Sequence, residues 1–188
     1  MSSKLSIVYR ALDKVLGVVA TVGSTAMLAL VCITVYDVMT RYFGLPKFQG
    51  LNSTMLQEAE YWAHTVLFTF VMAYAFTRQS HVRIDLVRDV MPRRIKYALE
   101  IFGLLVFLMP FAAIAAYYCY NYAWISWRDD EISRSTIGLT NIWLIKSTIV
   151  IMFGLLFVAG ASQLLKCIDG LLGNLTDDEE YNVLGGGH

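Results

Sequence analysis

Charged residues along this chain gather into short clusters, and the apolar stretches left between them set the fold class. Between Lys14 and Asp37 there are 22 uncharged residues. At ~1.5 Å rise per helical residue they cover ~33 Å, enough for the ~30 Å hydrocarbon layer of a bilayer. The second run, Tyr61 to Thr77, is only 17 residues long, near the lower limit for a crossing, so flanking side chains must reach outward or the bilayer must thin. Between Glu100 and Arg128 lie 27 uncharged residues, more than a perpendicular crossing needs. That excess predicts a helix that tilts, bends near Pro110 or projects beyond the membrane. The fourth run extends from about Ile142 to Leu165 and carries Lys146 one turn in. The pattern therefore predicts an all-α membrane protein with four transmembrane helices and short amphipathic interfacial segments. Its four-helix membrane domain occupies residues 1–168, with spans at about 15–36, 58–77, 97–127 and 142–165, and residues 169–188 form a polar cytoplasmic tail.

The connecting segments carry signals of their own. Asp37 and Arg41 stand one helical turn apart, so the first helix is expected to continue past the membrane with an ion pair before Gly44 and Pro46 end it. Thr54-Met55-Leu56-Gln57 fits a capping box, and Glu58 and Glu60 in the early turns suit the positive end of a helix dipole. Val82, Leu86 and Val90 recur every four residues and predict a short amphipathic helix ended by Pro92. Small residues at helical spacing, Gly17, Thr21, Thr25 and Ala29 on the first span and Ala112 and Ala116 on the third, are expected to be buried where helices approach closely.

Composition supports a membrane location, with 57% hydrophobic and 16% charged residues. The net charge of zero becomes informative only when divided by loop. With four spans, ten Lys and Arg fall on the side of the termini and five on the other. Cationic loops are retained in the cytoplasm, which places both termini there. All four tryptophans, Trp62, Trp124, Trp127 and Trp143, fall toward the opposite face. They read as an aromatic belt or as a docking surface. The cationic amino-terminal segment precedes an apolar run too long for a secretory signal, so it is expected to remain as an anchor. The acidic tail after Lys166 is expected to be loosely ordered.

Candidate chemistry is sparse. Cys32, Cys119 and Cys167 lack metal or redox spacing and read as packing residues. His64 is a single histidine where a membrane haem needs two axial ligands. Glu100 and Lys146 lie near span ends, where snorkelling or a local pair accommodates them. No catalytic triad, phosphate loop or metal motif is visible, so neither an enzyme nor a cofactor in this chain is expected. The cationic loops suit phospholipid better than nucleic acid.

His81-Val82-Arg83-Ile84-Asp85, following a helix that begins Leu56-Gln57-Glu58-Ala59-Glu60-Tyr61-Trp62, resembles the small membrane subunit of tripartite ATP-independent periplasmic (TRAP) transporters, the DctQ-like family. Gly138-Leu139-Thr140-Asn141-Ile142-Trp143-Leu144-Ile145-Lys146-Ser147 is similar to the segment that leads into that family's last helix, which commonly has Pro where this chain has Thr140. The resemblance implies a heteromer in the inner membrane of a bacterium or archaeon. Its other members would be a large multi-span subunit that binds substrate and sodium, and a periplasmic binding protein that delivers an organic acid. This chain would brace the large subunit. The competing reading is an independent four-span structural or sensory protein. Candidates for the connector or subunit interface are His81, Arg83, Asp85, Glu58, Glu60 and Lys146. Trp124, Trp127, Arg128, Asp129, Asp130 and Glu131 are candidates for docking the binding protein.

Overall fold

A computed structural model describes residues 4–78, 91–135, 137–175 and 177–184, and no strand occurs among them. The helices are α1 (Lys4–Tyr42), α2 (Ser53–Thr77), α3 (Arg93–Gly103), α4 (Met109–Arg128), α5 (Ile142–Leu171) and α6 (Asp177–Leu184). A π-helical turn, Leu104–Leu108, joins α3 to α4 without a break. Among the described residues three helices are long and apolar enough to cross a membrane: Leu5–Tyr42, Arg93–Arg128 and Ile142–Leu171. Helix α2 has 25 residues, yet Glu58, Glu60 and His64 dilute its apolar run, and it is not among these three.

Helix α5 is the hub, touching α1, α2, α3, the π turn, α4 and α6. Helix α2 runs antiparallel to α1: Gln57 sits beside Arg41 at one end, Phe70 beside Gly23 in the middle and Tyr74 beside Gly17 toward the other. Two ends follow from this arrangement. The loop end holds the α1–α2 connection and the α4–α5 loop. The terminal end holds the start of α1, the last turns of α5 and all of α6.

The close approach of α1 to α2 depends on Gly23, where an added Cβ would stand 2.6 Å from Phe70 Cβ. Its neighbours on the buried face are Leu16 and Ala20. This corrects the expected ridge, because Thr21, Thr25 and Ala29 are exposed and Gly17 is half-buried. The Thr21 and Thr25 hydroxyls donate to the carbonyls of Gly17 and Val22 in their own helix. Spacing alone could not separate two neighbouring stripes on one apolar helix. Ala112 is fully buried and Ala116 partly so, and α4 packs on α5.

The third apolar run contains the π turn close to the expected bend near Pro110. The Met109 amide donates to the Leu104 carbonyl, five residues back. Pro110 follows at once and has no amide to give, so the wider turn sits where the regular ladder is already broken. On the terminal side of this turn Tyr97 lies against Gly170 of α5 and shares a cluster with Leu104, Cys167, Val183 and Leu184. Val183 and Leu184 belong to α6. Within the expected tail, the described residues are thus ordered: α5 continues to Leu171, and α6 folds back with these two side chains buried.

Candidate functional site

At the loop end, polar groups hold the two connections against each other. Asn52 caps α2 by accepting from the Met55 amide at 2.8 Å, and its own amide donates to the Ile137 carbonyl at 2.8 Å. The cap is therefore Asn52 and not Thr54, two residues earlier than the capping box predicts. An Asn three residues before a free helical amide is an equally good signal. Glu58 also departs from its expected role beside the helix dipole. Its carboxylate accepts from the Ser133 hydroxyl and the Leu139 amide, tying α2 to the α4–α5 loop. A Cβ at Gly138 would collide with Ser133 and with this carboxylate. Asn141 then turns the chain into α5 with a left-handed φ of 61°. The Gly138–Asn141 segment thus forms a backbone cradle around Glu58.

Lys146 is buried and pairs with Glu131, and its ammonium lies 3.9 Å from the centre of the Tyr122 ring. The hydrogen bond from Lys146 is the main reason that the Glu131 carboxyl sits below its ordinary pKa. Glu131 is exposed while it holds this pair, so it ties Lys146 to the α4–α5 loop from the expected acidic patch. Within that patch Arg128 pairs with Asp129 at 2.9 Å. Trp124 and Trp127 are half exposed, their rings 4.9 Å apart, and with Trp143 they line an apolar groove between α4 and α5. Asp37 and Arg41 form the expected pair at 2.9 Å, and the Gln57 amide oxygen turned toward Arg41 accepts from its guanidinium. Glu60 is half-buried on α2. His81, Arg83 and Asp85, with the Val82 stripe, lie outside the described residues.

The terminal end holds a polar cluster that sequence reasoning missed. Lys166 pairs with Asp13 at 2.6 Å, and the Ser162 hydroxyl donates to the same carboxylate at 2.6 Å. Arg10 pairs with Glu179 of α6 at 2.9 Å, and the Tyr9 hydroxyl donates to Glu179. Gln163 is fully buried with both amide atoms lacking partners among the described residues. A signal existed, because Ser162-Gln163 interrupts an otherwise apolar helix just before Lys166.

Both ends are thus tied by hydrogen bonds and ion pairs among the chain's own helices. Long apolar faces remain uncovered between them, notably Val15, Val18 and Val22 on α1 and Phe107, Phe111 and Ile114 around the π turn and α4. Residues 30–170 match the family described as tripartite ATP-independent periplasmic transporters, DctQ component. The chain belongs to this family. No curated protein and no solved structure matches it. The match to DctQ makes the chain the small component of a TRAP transporter, a class of transporter parts and not of enzymes, whose companions are a large membrane subunit and a binding protein. With three helices apolar enough to cross, this DctQ component is a membrane protein.

Proposed function

We propose that this subunit is a fixed scaffold that braces the large membrane subunit during sodium-coupled, binding-protein-dependent uptake of an organic acid. The observation that carries the reading is the family match over residues 30–170. The form of the bundle supports it. A carrier that slides a moving domain through the membrane needs a rigid partner, and here both ends are tied while the intervening apolar faces stay available to a larger protein and to lipid. Sodium would bind in the large subunit.

The scaffold has four crossings on this reading. Three crossings would leave the two ends of the chain on opposite sides, yet Arg10 near one terminus meets Glu179 near the other. Helix α2, packed along α1 and α5, supplies the crossing that makes the number even. The cation distribution then supports cytoplasmic termini, and the Trp124–Trp127 face becomes the candidate site for the binding protein. Affinity purification from native membranes tests the assembly. A large multi-span permease should accompany the tagged chain, and deleting the chain should abolish uptake of labelled organic acid. Purification of the chain alone, with uptake intact after its deletion, would refute the scaffold role.

A further inference from the structure

A cavity of about 180 Å³ opens at the terminal end between α1, α2, α5 and α6. It is lined by Tyr9, Arg10 and Asp13, by Tyr74, Thr77 and Arg78, and by Lys166 and Glu179. Its level in the membrane can be read from two of the candidate spans. The uncharged run of α1 begins just after Lys14, and that of α5 ends just before Lys166. The cavity therefore lies where hydrocarbon gives way to headgroups.

Its charges are not fully matched. Three cations and two carboxylates face it, leaving one positive charge in excess. Arg10 is paired with Glu179 and Lys166 with Asp13. Arg78 has no carboxylate partner among the described residues. Its Nε donates to the Tyr74 hydroxyl at 3.0 Å, and its guanidinium carbon lies 5.2 Å from the centre of that ring. These contacts fix the plane of the guanidinium while its two terminal nitrogens keep their donors, the fork that matches two oxygens of a phosphate.

We propose that this cavity binds the phosphate of a phospholipid headgroup, with Arg78 as its principal ligand. A phosphodiester carries one negative charge and so neutralises the excess, and the volume would hold about six waters, enough for a phosphate and a short substituent. Where that substituent is an ammonium, Asp13 and Glu179 offer carboxylates to it. The bound lipid would fasten α2 to α1 and α5 at the membrane surface. This inference needs only the membrane placement of the helices, so it stands or falls separately from the scaffold role.

Native mass spectrometry of the full chain released from detergent tests it. The probes are dioleoylphosphatidylethanolamine, dioleoylphosphatidylglycerol, dioleoylglycerol without a phosphate, and inorganic phosphate. Both phospholipids should bind and dioleoylglycerol should not. Arg78→Gln should weaken phospholipid binding about tenfold, as loss of a charged hydrogen-bonding fork requires. Arg128→Gln at the other end should leave binding unchanged, and Arg78→Lys, which keeps the charge on a similar stem, should bind with intermediate strength. Equal binding by wild type and Arg78→Gln, or by dioleoylglycerol and phospholipid, would overturn the proposal. Displacement of lipid by inorganic phosphate at matched concentration would assign the site to a soluble anion instead. Loss of the lipid adduct when the copurified large subunit is present would make the cavity a protein interface and would equally refute it.

Discussion

Gln163 is a costly residue in the bundle, because both ends of its amide are buried without partners among the described residues. A buried amide in that state costs about 1–3 kcal/mol relative to an apolar group of the same shape. Gln163→Met, close to isosteric, should therefore raise the unfolding midpoint of the chain in detergent. A lower midpoint would show that the amide is satisfied in the membrane. Glu58 should behave in the opposite way. Glu58→Ala removes the acceptor of the Ser133 and Leu139 bonds and should cost about 1–3 kcal/mol, read as a lower midpoint and as faster proteolysis of the α4–α5 loop. Glu131 gives a pH dependence. Its folded carboxyl is more acidic than its ordinary value of 4.5, chiefly because Lys146 hydrogen-bonds to it. The stabilisation from the pair is complete above that ordinary value and is lost as pH falls through the lower folded one. The midpoint should fall with acidification below about pH 4.5, and Glu131→Gln should flatten that part of the curve.

Helix positions were legible in the sequence because apolar length sets them, and α1, α4 and α5 lie where their runs predict. Helix faces were less legible. In a bilayer both the lipid side and the packed side are apolar, so the ridge through Thr21, Thr25 and Ala29 and the one through Leu16, Ala20 and Gly23 carry nearly the same signal. Only the contact of Gly23 with Phe70 decides between them. Thr25→Leu should accordingly leave the stability of the isolated chain unchanged, whereas Gly23→Leu should cost about 1–3 kcal/mol by overpacking. A comparable loss for Thr25→Leu would restore the first ridge as the packed one. The polar ties were the hardest to see, since Glu58 and Leu139 are 81 positions apart and Asp13 and Ser162 are 149 apart. No local pattern joins such partners, although Gly138 and Asn141 marked the turn that one of them needs.

For the whole molecule, the pairing of Arg10 with Glu179 bears directly on topology. Reporter fusions at Gly50 and Ser135 should read extracytoplasmic, and fusions after Arg78 and at the carboxyl terminus cytoplasmic. An extracytoplasmic signal after Arg78 would remove α2 from the membrane and with it the fourth crossing. The membrane class and the family were both legible in the sequence, the first from apolar runs and the second from the His81–Asp85 motif after the Leu56–Trp62 helix start and from the Gly138–Ser147 segment. The way the carboxyl terminus closes the bundle was not, because an acidic segment reads as solvated until the basic side chains of α1 and α3 are placed beside it.

The π turn at Leu104–Leu108 also acts on angular phase. Each residue advances a regular helix by about 100°, so one surplus residue turns α3 by that amount relative to α4 about their common axis. This rotation lets Tyr97 and Leu104, before and at the start of the turn, pack with Cys167 of α5 while Ala112 is buried beyond it. Removing any one residue between Leu104 and Leu108 would restore regular winding and swing Tyr97 off Gly170. The segment's length is therefore under constraint even where its apolar side chains are interchangeable, and a shortened chain would present a different stripe of α3 to its surroundings.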